Sequence, residues 1–199
     1  MSTARDKVAL GPGDALIVVD VQRDFLPGGS LPVPQGDEVV PVLNSYLATF
    51  AAKALPIYAT RDWHPANHCS FKARGGPWPP HCVAESPGAR VAAALALPLS
   101  ATVISKATTA HQEAYSGFEG TDLDARLRAT RTRRLFVGGL ATDYCVLNTV
   151  RDACKLGYEV MLLTDAIRAV NVSPEDGRRA EGEMRSLGAR LVTLTDIGA

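Results

Sequence analysis

One of the four cysteines, Cys145, stands where a catalytic nucleophile would be expected. It follows an apolar run that ends in Gly138 and Gly139, and a helical pattern begins at about Asp143. A thiol at such a strand-to-helix turn lies near the positive end of the helix dipole, which lowers its pKa. Because a thiolate attacks carbonyl carbon atoms, this position predicts covalent catalysis. The alternative is a buried structural cysteine, the commoner role of a cysteine taken alone.

An acid and a lysine follow two other apolar runs. Asp20 comes after the first run and Lys106 after the third. In an open α/β sheet, the carboxyl ends of parallel strands meet at one edge, where ligands bind. We therefore predict that Asp20 takes the proton of Cys145 and returns it to a leaving group, while Lys106 orients Asp20 and holds the thiolate. Taken singly, both are better explained as structural strand-end residues, and Asp165 is interpreted in that way.

A candidate metal site follows the second apolar run. Asp62 and His64 are two residues apart in an extended segment and therefore point to the same side. His81 is the predicted third ligand, and three protein ligands leave positions for water or substrate. Mixed nitrogen and oxygen ligation favours zinc, with iron or manganese as alternatives. Unconnected loop histidines, or a structural zinc site using Cys69 or Cys82, are the competing interpretations.

Aromatic residues in the predicted loops suggest a flat binding pocket. Four of them fall near the same edge of the sheet: Phe25, Trp63, Trp78 and Tyr115. Their rings can form the walls of a pocket for another aromatic ring. Ordinary packing beneath long loops is the alternative.

The elements that must position these residues alternate along the chain. Apolar and β-branched runs predict six strands: 15–21, 56–60, 101–105, 135–139, 159–163 and 190–194. Helical stripes and caps predict four helices: 37–53, 122–129, about 143–155, and one that is capped by Ser173 and ends at Gly188. Gly157 is predicted to close the third helix.

This alternation predicts a three-layer α/β/α sandwich with a six-stranded, mainly parallel, Rossmann-like sheet. A length of 199 residues fits a single domain over 1–199, with 1–14 as a loose lead-in. The segment 62–87 is rich in proline, glycine and histidine and is predicted to be an irregular loop. A loop of this length in a compact domain is usually functional or disordered.

Composition and missing motifs narrow the function. Twenty-one basic and twenty-one acidic side chains cancel, which disfavours nucleic acid and anionic membranes as partners. The apolar runs are too short to cross a bilayer, and the first ten residues lack an export signal. Reduced cysteines in the cytoplasm are therefore expected. Dinucleotide-binding, Walker A and nucleophile-elbow motifs are all missing, which disfavours dinucleotide enzymes, nucleotide hydrolases and serine hydrolases.

Five segments resemble the nicotinamidase/pyrazinamidase family of the isochorismatase-like cysteine hydrolases. They are residues 19–25, 62–65, 78–82, 115–118 and 139–145. The pattern Asp-x-Gln-x-Asp-Phe and the segment Ala-Thr-Asp-x-Cys mark the superfamily. The segments Asp-Trp-His-Pro and Trp-Pro-x-His-Cys mark nicotinamidases within it. The resemblance runs from about residue 15 to 195 and implies an isochorismatase-like fold.

The resemblance implies hydrolysis of nicotinamide to nicotinate and ammonia through a cysteine thioester, with pyrazinamide as a second substrate. It implies a triad of Asp20, Lys106 and Cys145. It further implies an oxyanion hole formed by the backbone N–H groups of Ala141 and Cys145, after a cis peptide bond between Leu140 and Ala141.

The resemblance also implies how the substrate ring is held. The ring nitrogen approaches the ion directly or through water. The implied ligands of the ion are Asp62, His64 and His81. The implied ring-binding residues are Phe25, Trp78 and Tyr115. His68 is a candidate extra ligand, and relatives are often homo-oligomers.

Two positions near Lys106 depart from the family pattern. Ala107 stands where glycine is common, and Glu113 stands where aspartate is common. Two alternative functions are considered. N-carbamoyl amide and biuret-type hydrolases of the superfamily use the same thiol chemistry without this metal site. A binding module on the same fold would not need the triad. Isochorismatase itself does not need the cysteine, so Cys145 argues against that activity.

Overall fold

Six parallel strands form one sheet in the computed structural model, which describes residues 7–198. The strands are β1 (Asp14–Val19), β2 (Ile57–Asp62), β3 (Thr102–Lys106), β4 (Arg134–Leu140), β5 (Glu159–Arg168) and β6 (Arg190–Val192). Their order in the sheet is β3-β2-β1-β4-β5-β6. The order reverses direction at β1 and β4, and ligands bind at such points in open α/β sheets.

Helices cover both faces of the sheet. They are α1 (Val39–Ala52), α2 (Leu123–Ala129), α3 (Leu147–Lys155) and α4 (Asp176–Ser186). Apolar side chains of α1 pack in one core cluster, and those of α2, α3 and α4 pack in the other. The predicted three-layer α/β/α sandwich is confirmed, and every strand pair in the described residues is parallel.

The central strand β1 shows why this sequence forms a buried parallel strand. Leu16 and Val18 face the core cluster with α1, whereas Ile17 and Val19 face the cluster with the other three helices. Successive side chains of a strand point to opposite faces, so a strand covered on both sides must be apolar throughout. This is the reason that its sequence is a continuous apolar run.

The ends of the first three strands differ from the prediction. The first strand stops at Val19 because Asp20 adopts a left-handed backbone with a φ of 46°. The N–H group of Gln22 then donates to Asp20 O at 2.8 Å and turns the chain. The second strand extends to Asp62 and the third to Lys106, so both polar side chains belong to the sheet itself.

Strand β5 is longer than predicted and contains Asp165. Pairing with β4 shifts between Val137 and Gly139, and this irregularity lets the strand continue beyond its apolar run to Arg168. Asp165 therefore lies within the strand and does not end it. Its carboxylate accepts hydrogen bonds from the Tyr46 hydroxyl at 2.9 Å and the Leu194 N–H at 2.8 Å, which supports the structural interpretation.

Three helix starts and one strand end also differ from the prediction. The first helix begins at Val39, after a 3-10 turn over Gly36–Glu38. The third begins as a π-helical turn over Thr142–Val146. The fourth begins at Asp176, whose carboxylate accepts the Ser173 N–H at 2.7 Å, so Ser173 does not cap it. The sixth strand stops at Val192, two residues before its predicted end.

Glycines end the third and fourth helices, as predicted. Gly157 and Gly188 have φ values of 88° and 102°, and each follows the last helical turn. Such left-handed positions favour glycine because it has no Cβ atom.

Two segments were predicted to lack helices and strands: the lead-in 1–14 and the loop 62–87. Residues 1–6 of the predicted lead-in lie outside the described residues. The remainder is not loose, because Val8 pairs with Ile197 and its N–H group donates to Asp196 O at 2.7 Å. The predicted loop 62–87 is irregular apart from a 3-10 turn over Lys72–Arg74. Among residues 7–198, no helix is both long and apolar enough to cross a membrane.

Candidate active site

Three strands of the sheet bring the predicted catalytic residues together at their carboxyl ends. Asp20 follows β1 and Lys106 ends β3, while Cys145 follows β4. Gly139 allows β1 and β4 to approach closely at this edge, because a Cβ atom there would collide with the backbone of Val19. Its φ of 125° also favours glycine.

Lys106 is the centre of the cluster. Its Nζ atom lies 2.9 Å from Asp20 Oδ2, 2.5 Å from Asp62 Oδ1 and 3.4 Å from Cys145 Sγ. It also donates to Ala114 O at 3.1 Å. With only 1% of its surface exposed, Lys106 must remain paired, because an unpaired buried ammonium is strongly destabilising. The predicted meeting of acid, lysine and thiol is therefore found in the structure.

The carboxylate of Asp20 is fully buried and has one free hydrogen-bonding position. Its Oδ1 atom accepts a hydrogen bond of 2.6 Å from the Thr60 hydroxyl. Its Oδ2 atom is near the Lys106 ammonium but accepts no hydrogen bond from the described residues. An acceptor that is left open beside a thiol can take and return a proton.

The electrostatics of this cluster correct one sequence-based expectation. Burial raises the pKa of Cys145 well above its usual value, and Lys106 only partly opposes this effect. The thiol is therefore protonated at rest, although its position near a helix start predicted a lowered pKa. The physical reason is that the loss of water on burial, reinforced by the carboxylates of Asp20 and Asp62, outweighs the charge of Lys106.

The other two members of the cluster favour proton transfer from the thiol. Burial raises the pKa of Asp20, while the charge of Lys106 acts in the opposite direction. A carboxylate with a raised pKa is a stronger base. Burial opposes the charge on Lys106, but Asp20 and Asp62 outweigh it and hold its pKa well above the usual value. Lys106 is thus a fixed cation beside the thiol of Cys145 and the carboxylate of Asp20.

The turn that carries Cys145 is tightly folded. The peptide bond between Leu140 and Ala141 is cis, as the family resemblance implied. Ala141 O then accepts hydrogen bonds of 3.1 Å from the N–H groups of Tyr144 and Val146. The backbones of Ala141 and Cys145, the two predicted oxyanion-hole donors, consequently belong to one closed turn.

The predicted metal ligands also come together. Asp62, His64 and His81 each offer one ligand atom, and these atoms lie within 4.8 Å of one another. All three residues are buried. A carboxylate oxygen and two imidazole nitrogens form a donor set that suits zinc.

Hydrogen bonds to the backbone orient both histidines. The Nδ1 atom of His64 lies 3.3 Å from Ala107 O, and that of His81 lies 2.8 Å from Pro79 O. If each Nδ1 carries the proton, each Nε2 atom has a free lone pair, which is the usual arrangement of metal-bound histidine. Asp62 Oδ2 is 3.6 Å from His64 Nε2, while its other oxygen contacts Lys106. The residues therefore fit a divalent ion.

His68 does not belong to this ligand group. Its Nδ1 atom is 2.7 Å from the Ser70 hydroxyl and its Nε2 atom is 3.1 Å from Gln112 O. Its ring is tilted by 31° against that of His64, with 4.2 Å between the centroids. Both of its ring nitrogens are thus engaged in hydrogen bonds, and His68 packs against the predicted ligand His64 without joining the candidate group.

Among the predicted ring-binding residues, Trp78 and Tyr115 are joined directly. Trp78 Nε1 donates to the Tyr115 hydroxyl at 3.0 Å. Tyr144 contacts both rings, with centroid distances of 5.1 and 5.6 Å. Phe25 lies beside the predicted ligand His81, with 5.6 Å between the ring centroids. The ring of Trp63 contacts Arg61, with 3.7 Å from the guanidinium carbon to the ring centroid.

The structure adds three residues that the sequence did not single out: Gln22, Thr60 and Tyr144. Thr60 contacts Asp20 and Gln22 contacts the backbone of Asp62. Tyr144 was signalled only by its place next to Cys145. Gln22 lies inside a recognised motif, but a motif does not say what each member contacts.

The two departures from the family pattern have simple local consequences. Ala107 has a φ of 51°, a left-handed conformation that explains why glycine is common at this position. The Glu113 carboxylate accepts the N–H group of its neighbour Ala114 at 3.0 Å. Neither change disrupts the contacts of Lys106.

The remaining cysteines do not form a metal site in the described part of the chain. Cys69, Cys82 and Cys154 are free, and no candidate ligand group of described residues contains any of them. Burial raises the pKa of Cys82, and its backbone N–H donates to Asp24 at 2.7 Å. These observations do not support the alternative of a structural zinc site with Cys69 or Cys82.

Comparison with known proteins agrees with this geometry. The model of the isochorismatase domain matches residues 14–196. The nicotinamidase of Escherichia coli (strain K12) is 40% identical, and the alignment covers 93% of this chain and 97% of that protein.

Solved structures show the same similarity. The pyrazinamidase of Pyrococcus horikoshii in complex with zinc is 54% identical, with a TM-score of 0.88 and coverage of 92% of this chain and 100% of the other. PnC1 from L. infantum in complex with nicotinate is 38% identical, with a TM-score of 0.88 and coverage of 97% and 99%. Together with the shared arrangement of the sheet, these matches establish that the chain belongs to the isochorismatase family, and within it to the nicotinamidase/pyrazinamidase group.

Proposed function

We propose that this chain is a metal-dependent cysteine amidohydrolase that converts nicotinamide to nicotinate and ammonia, and that also deamidates pyrazinamide. The observation that carries the proposal is the contact of Lys106 with Asp20, Asp62 and Cys145. It joins a thiol and its base to a metal-ligand group. Similarity to proteins described as nicotinamidase and pyrazinamidase supports the choice of substrate.

The first half of the proposed reaction forms a thioester. Asp20 takes the proton of Cys145 as sulfur attacks the amide carbon. The N–H groups of Ala141 and Cys145 stabilise the oxyanion, each by about 3 kcal/mol. Asp20 then gives the proton to the amide nitrogen, and the carbon–nitrogen bond breaks to release ammonia. Lys106 stays protonated throughout and stabilises the negative charge that passes between the thiol and Asp20.

The second half restores the thiol. Asp20 takes a proton from water, whose oxygen attacks the thioester carbon. The carbon–sulfur bond breaks, nicotinic acid is released and loses its proton to the solvent as nicotinate, and Asp20 returns to sulfur the proton that it took from water. Because each proton taken is given back, the enzyme ends in its starting state.

We propose that Asp62, His64 and His81 hold one divalent ion, with zinc as the best fit and iron or manganese as alternatives. Such an ion would supply a Lewis-acid contact for the heterocyclic nitrogen of the substrate. Phe25, Trp78 and Tyr115 would hold the ring; the last two of these are already joined by a hydrogen bond. The donor chemistry of the three ligands supports this assignment.

We also propose a single domain that works in the cytoplasm. The two core clusters share one sheet, and the family match covers residues 14–196. The four cysteines are free, as expected for a reducing compartment.

A comparison of three amides tests the proposed substrate. Purified protein should release ammonia rapidly from nicotinamide and from pyrazinamide. Benzamide has the same shape as nicotinamide but lacks the ring nitrogen, so we expect kcat/KM to be lower by roughly 100-fold or more. Equal turnover of benzamide would contradict the role of the ring nitrogen. Ammonia release from an N-carbamoyl amide, with none from nicotinamide, would favour the alternative superfamily activity.

A pair of histidine variants tests the proposed metal site. His81→Ala should lower zinc affinity because it removes one of three ligands, whereas His111→Ala changes an exposed histidine outside the ligand group and should not. Metal analysis after dialysis against a weak chelator measures both. Retention of zinc by His81→Ala at the level of the control would contradict this ligand set.

A further inference from the structure

Gln22 is a buried polar residue to which the proposed chemistry gives no role. Its side chain is fully buried, and every hydrogen bond that it makes goes to the main chain. Gln22 Oε1 accepts the N–H group of Asp62 at 2.8 Å. Its Nε2 atom donates to Asp62 O at 2.8 Å and to Ala89 O at 2.9 Å. A fully satisfied amide of this kind fixes the groups around it.

The amide of Gln22 takes the place of a missing strand partner. Strand β1 pairs with β2 up to Val18, and the Asp20 N–H then donates to Thr60 O at 3.3 Å. Beyond this point the left-handed conformation of Asp20 turns the chain away from β2. The peptide groups of Asp62 would therefore have no partner on this side. The side-chain amide of Gln22 supplies one donor and one acceptor, as a neighbouring strand would.

The main chain at Asp62 is also fixed on the side that faces β3. It pairs with Lys106 of β3, and the Trp63 N–H donates to Lys106 O at 3.1 Å. The Asp62 backbone is thus fixed between Gln22 and β3. This constraint matters because one carboxylate oxygen contacts Lys106 at 2.5 Å while the other is directed at the metal-ligand group. A small rotation of the backbone would disturb both contacts.

We infer that Gln22 is a positioning residue that sets the metal affinity of the site by fixing the main chain of Asp62. The inference rests on the proposed metal site. Gln22 contacts neither the ion nor its ligand atoms, so its effect is exerted through the orientation of one ligand. Residues that orient metal ligands in this way typically change metal affinity by about 10- to 100-fold when they are replaced.

The test compares two variants of Gln22 with a buried control. Gln22→Glu keeps the shape of the side chain but replaces the N–H donor by oxygen, so the contacts of Nε2 with Asp62 O and Ala89 O cannot both form. Gln22→Met keeps the length of the side chain but makes no hydrogen bond. Tyr46→Phe removes a partly buried hydrogen bond between α1 and β5, away from the site. Zinc affinity is measured by competition with a chromophoric chelator, on protein shown to be folded by circular dichroism.

We expect about 10- to 100-fold weaker zinc binding for both Gln22 variants and unchanged binding for Tyr46→Phe. Wild-type zinc affinity in a folded Gln22 variant would overturn the inference. An equal loss in Tyr46→Phe would also overturn it, because the effect would then reflect general destabilisation. If the wild-type chain itself binds no zinc, the proposed metal site fails, which is a different outcome from failure of the Gln22 inference.

Discussion

At the scale of single residues, the proposed mechanism depends on one proton that Asp20 and Cys145 share. Burial raises the pKa of both groups, so the thiol is neutral at rest and the carboxylate is a stronger base than usual. The charge of Lys106, which Asp20 and Asp62 stabilise, lowers the pKa of Asp20 and so opposes the effect of burial.

Thr60 adjusts the strength of this base, and its replacement gives a pH-dependent prediction. The Thr60 hydroxyl hydrogen-bonds Asp20 at 2.6 Å and lowers the pKa of that carboxyl group. Thr60→Val removes the bond, so the pKa of Asp20 should rise. Because Asp20 must be ionised to take a proton, the acid limb of the kcat/KM profile should move to higher pH by about one unit.

Thr132→Val is the matched control for this experiment. Thr132 is also buried, and its hydroxyl contacts only Thr130 among described side chains, at 2.9 Å. The acid limb of the kcat/KM profile of Thr132→Val should stay at the wild-type position. A limb that stays in place in Thr60→Val, or moves to lower pH, would contradict the role of Asp20 as the base.

At the scale of residues, the sequence predicted which residues form the candidate site, but it did not predict how those residues contact one another. Asp20, Lys106 and Cys145 could be identified because each follows an apolar run. The raised pKa of the thiol could not be predicted, because it depends on how deeply the folded chain buries the sulfur. The role of Gln22 could not be predicted either, because it depends on the turn of the chain at Asp20, which no local sequence pattern indicates.

At the scale of elements, close contact between β1 and β4 brings Asp20 and Cys145, the proposed base and nucleophile, to one edge of the sheet. Gly139→Ala should disrupt this contact between the two strands. The added Cβ atom would collide with Val19 O, and the φ of 125° disfavours any side chain. We expect a loss of about 3 kcal/mol or more in the free energy of unfolding. Urea denaturation measures the change.

Gly182→Ala provides the comparison for this experiment. Gly182 lies within α4, and a Cβ atom there would meet nothing within 4 Å. Alanine in a helix is more favourable than glycine, so this variant should be stabilised by about 0.5–1 kcal/mol. Equal stability of the two variants would show that the strand contact does not constrain Gly139.

The order and type of the main elements were predictable, but several of their ends were not. Strand runs and helical stripes gave the six strands and four helices because both periodicities are strong in a buried α/β sheet. The extension of β5 past Thr164 and Asp165 was missed because a strand irregularity places polar side chains where alternation predicts apolar ones. The start of α4 was missed because Ser173 bonds to Asp176 and does not act as its cap.

At the scale of the whole molecule, one polar contact joins three elements of the fold. Tyr46 of α1 donates to Asp165 of β5, which also accepts the N–H group of Leu194 beyond β6. Burial raises the pKa of Tyr46, and Asp165 raises it further. The neutral phenol therefore stabilises the folded state.

This contact predicts how stability depends on alkaline pH. A raised pKa in the folded state means that the contribution of Tyr46 is complete below its unfolded pKa of about 10 and is lost as pH rises toward the folded value. Tyr46→Phe should cost about 1 kcal/mol at neutral pH, and the difference from wild type should narrow above pH ~10. Urea denaturation of the wild type and Tyr46→Phe over this pH range measures the difference in the free energy of unfolding. A difference that widens with pH would contradict the assignment.

The central claim is that the thiol of Cys145 hydrolyses nicotinamide. The most direct test is ammonia release from nicotinamide by the wild-type chain, Cys145→Ala and the control Cys154→Ala, each folded and zinc-loaded. Cys154 is a free cysteine outside the cluster around Lys106. The wild type and Cys154→Ala should release ammonia and nicotinate in equal amounts, while Cys145→Ala should bind nicotinamide but release neither. Turnover by Cys145→Ala, or no ammonia from the zinc-loaded wild type, would contradict the claim.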